Sequence, residues 1–195
     1  MVGSTLSLEE WRAIESLEPS ARVEWWTDHL LSDRRWADYF AQRLARAFVG
    51  TQQGPFLVFR RRRFETWLAD ELAQGTAYDV LVRKLVTAEG LWTNQPEVNF
   101  LTATISKEGG RKVDEVALAG RTARAFLGLR IDCLQCHDDF LGNVALGDAE
   151  ASRGGKQRDF HQLAAFYAGA GISRNPLAGL RDSRRPYLAT LLGDS

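Results

Sequence analysis

From Trp36 the chain places a large apolar side chain at every fourth position, through Phe40, Leu44 and Phe48, and then stops at Gly50. A four-residue spacing follows the 3.6-residue turn of an α-helix and not the two-residue repeat of a strand. It therefore predicts an amphipathic helix with one buried face, ended by a glycine. With only two cysteines in 195 residues, no disulfide framework can hold such elements together, so a core must do it. A compact chain of this length buries about 70% of its unfolded surface, which is enough for one domain.

The same reading extends along the chain. Ser7 with Glu10 three positions later predicts a capping box at the start of a first helix. Val23, Trp26 and Leu30 share a face in a second, and Asp33 is placed to cap the helix that carries Trp36. Residues 51–55 read as a loop that leads into a short apolar stretch, Phe56 to Phe59. Phe64, Trp67, Leu68 and Leu72 return to helical spacing and close at Gly75, while Tyr78, Leu81, Val82 and Leu85 close at Gly90. Residues 91–111 read as irregular. Val113, Val116, Gly120, Ala123 and Leu127 then share a helical face that Gly128 can end. Residues 141–158 are Gly-rich and polar and read as a mobile loop, after which Asp159 is placed to cap a last helix through Phe160, Leu163, Ala164 and Tyr167. The expected fold class is all-α, an irregular helical domain with long loops. The six tryptophans fall at helical spacings and are expected in the core.

Composition narrows the function classes. Lys plus Arg equals Asp plus Glu, 25 of each, so no global field recruits nucleic acid or acidic lipid. No apolar run approaches the ~18 residues of a membrane span. No Ser/His/Asp set, phosphate loop or paired-carboxylate motif stands out, which argues against a hydrolase. The four arginines Arg60 to Arg63 point in several directions around a helix, so they read as a solvated or partner-docking face, with anionic ligand contact as the rarer alternative.

Both cysteines fall in one stretch, "RIDCLQCHDD", residues 130–139. The order Cys133-Leu134-Gln135-Cys136-His137 is the attachment signature of a c-type haem. Two thiols three positions apart lie near one helical turn, so each can add to one vinyl group, and the adjacent imidazole is held where a nitrogen reaches iron. Three other readings stand beside it. A zinc site needs four ligands, and only His29 and His161 remain as further soft donors. A redox-active dithiol normally sits in a βαβ setting, which this sequence lacks. Two structural thiols beside a surface histidine complete the set. Asp132 and Asp138 flank the motif as solvated or capping acids, or as acceptors that orient the His137 N–H.

The run "LAGRTARAFLGLRIDCLQCHDDF", followed by "QRDFHQLAAFY", resembles the planctomycete cytochrome C-type domain of unknown function, the second of the PSCyt domain types. "LLSDRRWADYFAQRLARAFVG" and "FETWLADELAQGTAYDVLVRKLVTAEG" resemble earlier blocks of that family, so the likeness spans about residues 25 to 170. It implies haem c bound at Cys133, Cys136 and His137, with the helix from Asp159 packed nearby. It also implies a larger exported protein, periplasmic or at the cell surface, whose redox partner is another protein or a cytochrome c module of the same parent chain. Electron transfer or redox support is the expected function, with a five-coordinate catalytic or sensing haem, or a structural module without haem, as alternatives. The implied domain plan is a helix or linker over 1–22, the haem-bearing domain over 23–171 and a linker over 172–195. Export is expected although the N-terminus lacks the basic start and apolar stretch of a signal peptide, because thioether attachment takes place outside the bacterial cytoplasm.

This chain departs from the family pattern at Asp139, where a second histidine is common. Methionine is excluded as sixth iron ligand, since Met1 is the only one. His161, beside Ala164, Ala165 and Ala168 on its helix, is the expected sixth ligand.

Overall fold

The computed structural model describes residues 3–50, 60–91, 94–105, 113–148 and 150–171. The apolar stretch Phe56 to Phe59 and the tail from Ile172 lie outside them. The described chain is all-α apart from one short hairpin, in the order α1 (Leu8–Glu15), α2 (Pro19–Ser32), α3 (Arg34–Val49), α4 (Arg61–Ala73), α5 (Tyr78–Val86), α6 (Asn99–Thr102), α7 (Glu115–Thr122), β1 (Ala145–Leu146), β2 (Arg153–Gly154) and α8 (Gln157–Ala165). A 3-10 turn, Pro96–Val98, leads into α6, so part of the stretch read as irregular is helical.

Two of the expected side-chain caps form. Ser7 accepts the Glu10 N–H while Glu10 accepts the Ser7 N–H, and Asp33 accepts the Arg35 N–H. Gly50, Gly75 and Gly128 each hold positive φ just beyond a helical segment, the conformation that lets a chain leave a helix at low cost, whereas α5 ends at Val86 with Thr87 as its cap, short of the expected Gly90.

Helix α3 buries a different stripe from the one its large side chains suggest. Ala37, Ala41, Ala45, Phe48 and Val49 are buried, whereas Phe40 is 37% exposed and Trp36 and Leu44 are only partly covered. Three alanines four apart allow the α3 backbone to approach α4, which answers with Phe64, Leu68 and Ala69. Arg61 ties the pair by donating from Nη2 to the Gly50 carbonyl at 2.6 Å. None of the five tryptophans with described side chains is fully buried, so they sit at the margins of the core rather than in it. Helix α2 buries no residue fully; Val23 lies in solvent, and Trp26 and Leu30 are half-buried.

Two apolar clusters share α7 as a common wall. The larger joins α3, α4, α5 and α6 with Leu118 and Tyr167. The smaller contains Ala119, Ala123, Ile131, Leu134, Val144, Phe160 and Ala164. Past Thr122 the helix widens into a π turn, Ala123–Leu127. One extra residue per turn rotates the later side chains about the axis, so Leu127 faces solvent at 62% exposure while Phe126 packs against Phe48 and Phe100. The segment read as a mobile loop instead contains the β1–β2 hairpin, with Ala145 opposite Gly154 and Leu146 opposite Arg153.

Candidate functional site

The C-x-x-C-H motif lies on the smaller cluster. Gly128 turns the chain out of the π turn, Ile131 enters the cluster, and Asp132–Gln135 forms a 3-10 turn. A 3-10 turn repeats every three residues, so positions i and i+3 eclipse. Ile131 and Leu134 therefore point inward, and Leu134 is fully buried, while Cys133 and Cys136 point outward together as free, exposed thiols. The Cys136 N–H donates to the Cys133 carbonyl at 3.2 Å and keeps the turn closed.

His137 leaves the turn exposed, and its Nδ1 lies 2.7 Å from the Asp138 carbonyl oxygen. A carbonyl only accepts, so Nδ1 carries the proton, and in the neutral ring Nε2 carries the lone pair. That is the tautomer a metal-binding imidazole requires. The acceptor is the backbone of Asp138 rather than a flanking carboxylate. The Asp138 side chain instead accepts the Gln157 N–H at 2.8 Å, and Asp132 pairs with Arg124. Both flanking acids thus serve structure, the plainer of their two expected roles. Asp139 accepts the N–H groups of Leu141 at 3.1 Å and Val144 at 2.7 Å and braces the next loop.

The motif is brought against α8, which starts at Gln157, two residues before the expected cap. Asp159 lies inside its first turn, where it accepts the Lys156 N–H and a two-pronged contact from Arg153; the Arg153 contact holds its carboxyl down at about 2. Gln157 Nε2 and His161 Nε2 both reach the Gln135 carbonyl, at 3.1 and 3.3 Å. The structure therefore gathers Cys133, Cys136, His137 and His161 into one neighbourhood, with His161 engaged to the motif backbone.

Other expected candidates lie elsewhere. Arg61 pairs with Glu65, and the Arg60 N–H donates to buried Asn99 at 2.6 Å, so this arginine block organises the start of α4. His29 stacks on Trp25 and joins Glu10 and Asp33 in a group whose ligand atoms lie within 4.8 Å of one another. Arg35 already bridges both carboxylates of that group and supplies its cation.

Sequence reasoning did not foresee a half-open apolar cavity of about 960 Å³ between α5, α6, the π turn and α8, with Val86, Leu101, Phe126 and Tyr167 among its walls. Cys133, Cys136, His137 and His161 do not line it. Its walls come from scattered positions with no common spacing, so no sequence signal announces it.

As a donor set, two outward thiols on one turn and an imidazole with a free Nε2 fit covalent haem. Fold and site together define a class: an all-helical domain that displays a C-x-x-C-H turn on a small secondary core. Within that class the chain belongs to the family described as PSCyt2, protein of unknown function (DUF1549), which matches residues 1–170. The match takes in α1 as well as the blocks read from the sequence. No curated protein and no solved structure matches the chain.

Proposed function

We propose that this domain carries haem c attached at Cys133 and Cys136 with His137 as the proximal ligand, and that it transfers electrons or supports redox chemistry within a larger exported protein. The observation that carries the reading is the 3-10 turn, which points both thiols outward and is followed by an imidazole whose Nδ1 proton is already placed. Each thiol adds S–H across one vinyl double bond to leave a thioether, with no oxidant consumed. When bound, the haem iron supplies one-electron chemistry. The Asp138 carbonyl holds the His137 proton at Nδ1, and Leu134 keeps the turn seated. The partner is a redox protein or a cytochrome c module of the same parent chain, and the setting is periplasmic or cell-surface.

The sixth position belongs to His161 in this reading. A second reading, an open iron position that binds small ligands, is favoured by the contact of His161 Nε2 with the Gln135 carbonyl.

Expression with a haem-attachment system tests the assignment. A Soret band that survives acid–acetone extraction and gives a pyridine haemochrome is expected. Cys133→Ala or Cys136→Ala weakens or abolishes stable attachment, and His137→Ala keeps covalent haem with an altered spectrum. A parent protein without the Soret band, or unchanged spectra in all three variants, overturns the reading in favour of a structural module. A reporter fused to the N-terminus of the full-length gene product tests export, and persistent cytoplasmic retention counts against it.

A further inference from the structure

Beyond the motif, Phe140 and Leu141 stand 80% and 84% exposed. Large apolar side chains in water are costly where nothing covers them. Their loop is nevertheless braced. Asp139 accepts from the Leu141 and Val144 N–H groups, and its own N–H donates to the Gly155 carbonyl at 2.9 Å. From this braced turn the Phe140 ring stacks on the His137 imidazole, with centroids 5.5 Å apart and planes 20° from parallel.

We propose that Phe140 is a positioning residue for His137, fixing the rotation of the imidazole so that Nε2 would meet a bound metal in one orientation. This rests on the haem reading above. The hydrogen bond from Nδ1 to the Asp138 carbonyl restrains the ring about its Cβ–Cγ bond, but as one exposed contact it leaves the ring able to pivot a little about that bond. A parallel ring on one face blocks the pivot, because turning would drive the imidazole edge into the phenyl face. An imidazole bound through Nε2 can otherwise turn about its metal bond. That angle governs the splitting of the iron orbitals and hence the spread of the ferric g values.

Two measurements separate the stack from the haem. In haem-free full-length chain, the His137 ring protons carry a ring-current shift from Phe140. Phe140→Ala removes it, and Phe140→Tyr, which keeps a ring, preserves it. In haem-loaded protein, Phe140→Ala retains full pyridine haemochrome but shifts and broadens the low-field ferric g signal, while Phe140→Tyr matches the parent. Phe140→Leu, which keeps apolar bulk without a ring, behaves as the alanine variant does and so separates orientation from simple water exclusion. Identical g values in Phe140→Ala and parent, both fully loaded, overturn the proposal while the haem reading stands. A parent that attaches no haem removes the metal role even where the ring-current shift is present.

Discussion

At His161 the chemistry turns on one nitrogen. Donating to the Gln135 carbonyl requires the proton on Nε2, so ligation through that atom means giving up the 3.3 Å contact and moving the proton to Nδ1. The contact is exposed, and a hydrogen bond of this kind is worth about 0.5–1.5 kcal/mol net. That is too little to hold the ring against a coordinate bond to iron. The expected outcome for His161→Ala in the haem-loaded protein is therefore a ferric spectrum shifted to high spin. Identical spectra in mutant and parent would leave the open-site reading in place. At this scale the outward pairing of the two thiols was legible, because three positions along a tight turn return to one side. The structural roles of Asp132 and Asp138 were legible but their partners were not, since a carboxylate next to the motif in sequence can equally face a helix N-terminus, an arginine or, as Asp139 does, a loop N–H.

At the scale of elements, the motif is presented by packing on the buried side of its turn. Gly155 passes so close to the turn that an added Cβ would lie 2.7 Å from Leu134 Cδ1 and 3.0 Å from Val144 Cγ1. Gly155→Ala therefore overpacks the smaller cluster and is expected to cost about 1–3 kcal/mol, read as a lowered melting temperature. Leu134→Ala opens a cavity and costs about 2–5 kcal/mol. Combined, the two relieve each other, so the double variant loses less than the sum of the singles. Strict additivity in thermal unfolding would show that the clash is absorbed elsewhere. Helix ends were readable from Ser7, Asp33, Gly50, Gly75 and Gly128 because caps are local chemistry, whereas α5 stops before Gly90 and α8 starts before Asp159. The alanine face of α3 was not, because its aromatic and alanine stripes have the same period, one position apart. Only the partner helix decides which of them is buried. The π turn escaped for a related reason: it adds a residue to one turn without changing composition, and Leu127 swings outward as a result.

At the scale of the molecule, the first two helices are attached mainly by charge, since α2 buries no residue fully and α1 buries only Glu10 and Ile14. Glu10 accepts the Ser7 N–H at 2.7 Å and pairs with Arg35 at the start of α3, with His29 of α2 at 3.3 Å. The Ser7 N–H, then Arg35, hold its carboxyl at about 2 against an ordinary value of 4.5. A carboxylate depressed by folding contributes stability above its unfolded pKa and loses it as pH falls toward its folded one. The contribution is thus intact above about 4.5, declines through the interval below, and is gone at about 2. Asp33, also lowered by Arg35, weakens in the same direction. Acid is therefore expected to release α1 from α3 before the α3–α4 core opens, because the seam of that core is built from Ala41, Ala45, Phe64 and Leu68 rather than from carboxylates. The Trp11 indole resonance and the amide exchange of α1 should change between about pH 4.5 and 2, ahead of the global far-UV transition. Glu10→Gln should show the released state already at neutral pH. A single transition, common to α1 and the core and unmoved by Glu10→Gln, would mean that α1 is held by its Ile14 contact rather than by charge.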